Sequence, residues 1–310
     1  DMILAHPESI VDMPEEAIYI DWNYGWDFDR FGEDPANLIE QYGLRFWGAS
    51  SIRSSPDDYN VTNWGKHMEN QSDYMPYARE AGFEGMILTS WSTSGVYGYE
   101  WFMSEVTDLY PLRHPYPHDG FRLNVAAFVQ GVMQSEPLNP GKFAREYAVE
   151  RFGLTDLEGD ELWSILSSDL LHAFVTVGSR PLSGQRGLSP KSRRAESYLA
   201  AVRKLQTRFS KIVPKANERE FAHFGLQLAC REFYLRFRTI EEWAQSDAFT
   251  AKDKLLAVRQ LEALLRRSAE LDRLFLEQFE SVLHESEIRL FNDYQSKNVR
   301  KLKRRLAGEH

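Results

Sequence analysis

The chain has 310 residues, 43% of them apolar, which is enough for a sizeable buried core, and a formal net charge of −9. No run of about 18 apolar residues is present to span a membrane, and Cys230, the single cysteine, allows no intramolecular disulfide. No P-loop, dinucleotide fingerprint or nucleophile elbow occurs, so no cofactor is expected.

Charge and aromatic content divide the chain. Residues 1–130 carry 21 acidic against 7 basic side chains, a balance of −14, which leaves +5 for residues 131–310. Six of the eight tryptophans precede residue 102. Two units are expected, 1–135 and 136–310, joined where Gln134-Ser135-Glu136-Pro137-Leu138-Asn139-Pro140-Gly141 supplies turn chemistry.

The first unit repeats one design three times: an apolar, strand-like run that ends in aromatic and small polar residues, then a loop, then a helical pattern. Ile18-Tyr19-Ile20-Asp21-Trp22-Asn23-Tyr24-Gly25-Trp26 is followed by an acidic loop and a short helix from Pro35 to Gly43. Leu44-Arg45-Phe46-Trp47-Gly48-Ala49-Ser50-Ser51 is followed by the loop from Arg53 to Trp64 and a helix over about 65–81, stopped by Gly82. Gly85-Met86-Ile87-Leu88-Thr89-Ser90-Trp91-Ser92-Thr93-Ser94-Gly95 precedes a loop and a helix near 121–133. Such alternation predicts parallel strands with crossover helices, and the loops after the strand C-termini are where these folds place their chemistry. Three units cannot close a barrel of eight. The expected fold is therefore the C-terminal portion of a (β/α)8 barrel, with a small open sheet as the alternative; Asp1-Met2-Ile3-Leu4 reads as sequence just past another strand end.

The second unit is helical throughout. Pro140 opens a helix that ends at Phe152-Gly153, and Thr155-x-x-Glu158 forms a capping box for a helix ending near Gly178. After a Gly/Ser/Pro/Arg-rich loop at 178–192, helices are predicted over 192–212, 217–246 and 251–303. The last carries one apolar stripe through Leu261, Leu264, Leu265, Leu271, Leu274, Phe275, Phe279, Val282 and Leu283. An antiparallel helical bundle buries such stripes, and a homodimer through the C-terminal helices is the rival arrangement. The basic cluster from Lys297 to Arg305 suits a helix C-terminus better than nucleic acid.

His67-x-x-Asn70, a helix, and then Gly82-Phe83-Glu84-Gly85-Met86-Ile87-Leu88-Thr89-Ser90-Trp91-Ser92 resemble the last barrel strand and its preceding helix in glycoside hydrolase family 20, the β-N-acetylhexosaminidases, most closely the hexosaminidase D-like branch. Asp21-Trp22-Asn23-Tyr24 and Phe46-Trp47-Gly48-Ala49-Ser50 look like the two strands before it. The resemblance covers about residues 1–125. It implies removal of a terminal β-linked N-acetylhexosamine from a glycan, with the substrate's own acetamide attacking the anomeric carbon, a Glu protonating the leaving oxygen and an Asp orienting the acetamide. No Asp-Glu pair stands at a matching strand here, so the pair is expected upstream and this chain alone is expected to be inactive. A non-catalytic carbohydrate-binding protein and a helical interaction or dimerisation module are the alternatives.

No catalytic residue is identified within the chain. The candidate substrate-binding set begins with Trp91, which matches the family tryptophan that walls the sugar subsite. Trp22 is expected to stack on the sugar and Tyr24, two residues on and so on the same strand face, to bond the acetamide. Trp47 joins them at the second strand end, with Ser50 and Arg53 behind it. His67 and Asn70, three apart at a helix start, are candidates for hydroxyl contacts or, equally, for local capping. Asp1 is a candidate sugar-binding carboxylate. Asn60 and Asn70 match the N-glycosylation pattern, but a glycan on Asn70 would obstruct the pocket. The prolines in His114-Pro115-Tyr116-Pro117-His118-Asp119 fit no zinc spacing, so no metal is expected.

Overall fold

A computed structural model describes residues 5–53 apart from 15, 26 and 30–33, residues 62–90, 120–171 and 194–279, and residues 281–308 apart from 282 and 283. The protein is mixed α/β: the described residues form one parallel sheet of three strands and nine α-helices. The strands are β1 (Ile18–Trp22), β2 (Arg45–Arg53) and β3 (Gly85–Ser90), ordered β1-β2-β3. The crossovers are α1 (Pro35–Tyr42) and α2 (Trp64–Glu80).

Local chemistry explains the helix ends. Asp34 caps α1 through a bond from the Ala36 amide at 2.8 Å, Pro35 occupies the first turn, and Gly43 closes the helix at φ 67°, a conformation that favours glycine. The Tyr77 hydroxyl of α2 donates to the same Asp34 carboxylate at 2.5 Å, and burial together with that carboxylate pushes the phenol well above its ordinary pKa. Phe28 stacks on the Tyr77 ring, which anchors the β1–α1 connection to α2.

Register and side-chain alternation sort the sheet into two faces. Tyr19, Asp21, Phe46, Gly48 and Met86 share the first, because Tyr19 pairs with Phe46, Asp21 with Gly48, and Gly48 with Met86. Helices cover it: Leu38 of α1 packs on Phe46, and the Tyr74 hydroxyl of α2 donates to the Asp21 carboxylate at 2.6 Å. Gly48 admits this approach, since a Cβ there would lie 3.0 Å from the Tyr74 oxygen and 2.6 Å from Met86 Sδ. The opposite face carries Ile18, Ile20 and Trp22, aligned through Ile20↔Trp47↔Gly85 and Trp22↔Ala49↔Ile87. Here Ile18 and Ile20 remain 41% exposed and Trp22 39%. Both crossovers therefore lie on one side of the sheet.

Trp47 lies lower in the sheet than its sequence position implied. The apolar run was expected to end there, but β2 continues six residues to Arg53, through Gly-Ala-Ser-Ser, whose ladder bonds are completed by β3. The Trp47 indole instead lies across Gly85, where a Cβ would sit 2.9 Å from its Cε2. Gly85→Val is expected to cost about 1–3 kcal/mol by overpacking, read as a lower urea midpoint at unchanged slope; an unchanged midpoint would show that the indole does not lie there.

The remaining helices are α3 (Arg122–Met133), α4 (Pro140–Phe152), α5 (Asp156–Leu166), α6 (Arg194–Phe209), α7 (Glu218–Gln245), α8 (Lys254–Phe279) and α9 (Glu285–Ala307). The capping box forms as its sequence predicts, with Thr155 and Glu158 exchanging bonds, but α5 ends at Leu166 and a short 3-10 turn spans Asp169–Leu171. The helix predicted over 251–303 is two helices. Lys303 of α9 reaches Glu262 of α8 at 3.3 Å, and Val299 and Leu302 join Leu261, Leu264, Leu271 and Phe275 in one cluster, so the chain folds back on itself. A single straight helix would have left that stripe uncovered; the fold-back buries it within the chain, against α9 and Phe233 and Phe237 of α7. Val282 and Leu283 lie outside the described residues.

One apolar cluster crosses the expected boundary at 135/136. Trp64 and Met68 of α2 and Leu123 and Ala127 of α3 pack with Phe143, Phe152, Leu162, Val202, Phe221 and Leu235 of the later helices. Glu220 of α7 adds a polar tie: its carboxylate meets Arg122 of α3 at 3.1 Å and Arg151 of α4 at 2.9 Å, and accepts from Tyr147 at 2.5 Å.

Candidate functional site

The C-terminal end of the sheet gathers part of the candidate set. Trp22 ends β1 on the face away from α1 and α2, and Tyr24, buried at 8% exposure, continues beyond it with its ring edge-on to the Trp22 indole at 6.3 Å. Thr89 of β3 donates from Oγ1 to the Ser50 carbonyl at 2.8 Å and lies 3.4 Å from the Tyr24 hydroxyl. The Asn23 amide donates to the Ala49 carbonyl at 3.2 Å, extending the ladder past β1, and Asn23 Oδ1 accepts from the Gly25 amide at 2.9 Å to turn the chain.

Behind these residues stands the head of α2. Asn63 caps the helix through the Lys66 amide. His67 and Asn70 both reach the strand ends, as their spacing predicts. His67 Nδ1 lies 3.4 Å from Ser51 Oγ, and Asn70 Nδ2 donates to the Asn23 carbonyl at 3.1 Å. They are 1% and 5% exposed, so they brace the strand-end turns from behind, and an attached glycan on Asn70 is sterically excluded. Ser50 is fully buried on β2, and Ser50 Oγ and Asn70 Oδ1 have no hydrogen-bond partner among the described residues.

Trp91, Asp1, Asn60 and the His114–Asp119 segment lie outside the described residues, as does the Arg53 side chain. Trp47 is two same-face positions below Ser51 on β2 and is not part of this end. Asp21 faces the helix-covered side, committed to Tyr74. Among the described residues no group of three His, Cys, Asp or Glu side chains is placed to hold a metal, and no helix is long and apolar enough to cross a membrane.

At this end the Trp22 side chain is partly exposed, the Tyr24 phenol is buried, and Thr89 supplies a hydroxyl beside it. Thr62 and Gln227, not anticipated from the sequence, stand behind this end; Gln227 is a polar residue among the apolar positions of α7, and nothing local marks Thr62.

No family model matches the chain, and neither the search of curated proteins nor that of solved structures finds a similar protein.

Proposed function

We propose that this chain forms the sugar-holding wall of a (β/α)8-barrel glycoside hydrolase that removes terminal β-linked N-acetylhexosamine, with the helices of residues 136–310 appended as a bundle. One observation carries the reading: a parallel sheet with both crossover helices on one side, whose other face leaves the β1 residues Ile18, Ile20 and Trp22 partly exposed at the strand that ends the sheet. Parallel sheets are stable only when both faces are covered, and further strands of a barrel supply that cover. The sugar would stack on Trp22 and Trp91, with Tyr24 bonding the acetamide and His67 and Asn70 holding the strand ends. Asp1 remains a candidate for a hydroxyl contact. Substrate-assisted hydrolysis needs a Glu to protonate the leaving oxygen and an Asp to orient the acetamide. That pair is assigned to polypeptide N-terminal to these residues.

The expected result is that the 310-residue chain alone turns over no aryl β-N-acetylglucosaminide, while the same chain joined to strands bearing the Asp-Glu pair does. Turnover by the chain alone would contradict the division of labour. A non-catalytic carbohydrate-binding protein is the second reading, favoured by the missing acid pair; under it the longer polypeptide binds the sugar but remains inactive. A homodimer through the C-terminal helices has less support, because their apolar stripe is buried within the chain.

A further inference from the structure

Helix α7 carries polar residues along one side of its buried length: Glu220, His223, Gln227, Arg231, Arg238 and Glu241 follow at intervals of three, four or seven residues, and all are buried. The stripe lies in the seam between the two apolar clusters, with Phe221, Phe224 and Leu228 on one flank and Leu226, Phe233 and Phe237 on the other. Burying so many polar groups is costly unless each is bonded, so their partners indicate what the stripe holds.

At Gln227 the partner is the head of α2. Gln227 Oε1 accepts from the Trp64 indole N–H at 2.9 Å, and Nε2 lies 3.3 Å from Thr62 Oγ1 and 2.9 Å from His223 Nε2. A glutamine amide has one acceptor oxygen and two N–H donors, so all three contacts are satisfied together only when Nε2 donates to both Thr62 and His223. His223 must then accept at Nε2, which makes it neutral with its proton on Nδ1. Trp64 is the first residue of α2 and Thr62 lies two before it, so the bonds straddle the helix cap at Asn63. One and two turns further on are His67 and Asn70, bonded to the strand ends.

We infer that Gln227 is a positioning residue: the helical half fixes the head of α2, and through it His67 fixes Ser51 near the end of β2 and Asn70 fixes the strand-end turn that follows Trp22. The mechanical part of this inference stands on the geometry alone; its consequence for ligand affinity rests on the sugar-binding reading. A site held by a supporting helix loses its ligand geometry when the support is released by even about 1 Å.

The test uses the full chain. Gln227→Leu keeps the volume and removes all three bonds. Gln227→Glu keeps the acceptor for Trp64, and its second oxygen accepts from Thr62 Oγ1 and from His223 in its other tautomer. Leu228→Ala, on the adjacent flank of α7, is the control for destabilisation alone. The readouts are the Asn70 side-chain amide and Trp22 indole signals in 15N NMR, and the Kd for N-acetylglucosamine. Gln227→Leu is expected to shift both signals and weaken binding at least tenfold. Gln227→Glu is expected to restore the signals and bring Kd within about twofold of wild type, equivalent to less than about 0.5 kcal/mol. Leu228→Ala should lower Tm and move neither readout. Should Gln227→Leu fail to fold, Thr62→Val removes one of the three bonds and is expected to shift the same signals by less. Unshifted Asn70 and Trp22 signals in the Gln227 and Thr62 variants, or equal shifts in Leu228→Ala, would overturn the inference. If the signals shift as expected but the wild-type chain binds no N-acetylglucosamine, the positioning role holds and the sugar reading falls.

Discussion

Replacing Trp64 with alanine is expected to destabilise the chain by about 3–5 kcal/mol, the range for deleting a fully buried large aromatic side chain. Trp64 is 1% exposed and meets Phe224 edge-on at 5.4 Å, and its indole N–H is bonded to Gln227. Truncation opens a cavity and also leaves Gln227 Oε1 buried without its donor, which adds to the loss. A loss this large is a substantial fraction of an ordinary domain's stability. Because Trp64 belongs to a cluster that includes α3, α4, α5, α6 and α7, the effect should not be confined to the sheet. Urea denaturation followed by near-UV and far-UV circular dichroism measures it. Both signals are expected to shift to lower midpoint together; a near-UV signal, weighted to the six tryptophans before residue 102, that shifts alone would show that residues 1–135 and 136–310 unfold as independent units.

Much of the architecture is legible in the sequence because it rests on short-range chemistry. Pro35, Gly43, Pro140, Gly153 and the Thr155/Glu158 box each set a helix end through residues within a turn of it, and the apolar runs at 18–22, 45–53 and 85–90 pair in the expected parallel order. Trp47 lies below the strand end because Gly-Ala-Ser-Ser, which has weak strand propensity, is kept extended by pairing with β1 and β3. The turn between α8 and α9 carries no proline or glycine, and the apolar stripe runs on unbroken, so nothing local marks where the chain doubles back; contacts such as Glu262 with Lys303 decide it. At the site, Trp22, Tyr24, His67 and Asn70 were found from strand ends and helix starts. Gln227 and Thr62, 165 residues apart in sequence, become neighbours only in the folded chain.

The second large effect is expected at Trp22. That residue is 39% exposed on the face away from α1 and α2, so Trp22→Ala should cost the fold far less than Trp64→Ala does. If the indole is the floor on which a pyranose stacks, the same change should weaken ligand binding at least tenfold, about 1.4 kcal/mol or more. Trp47→Ala supplies the internal comparison. It removes an indole of the same face two residues below the level of Trp22, since Trp47 pairs with Ile20, and it should leave affinity within about twofold, or about 0.4 kcal/mol.

The most direct measurement is calorimetric titration of the 310-residue chain with N-acetylglucosamine and with its thiazoline, the mimic of the cyclised intermediate. The predicted result is one-site binding of both, abolished by Trp22→Ala and retained in Trp47→Ala. Absence of binding heat for either ligand at millimolar concentration, or binding that survives Trp22→Ala unchanged, would contradict the assignment of these strand ends to an N-acetylhexosamine site.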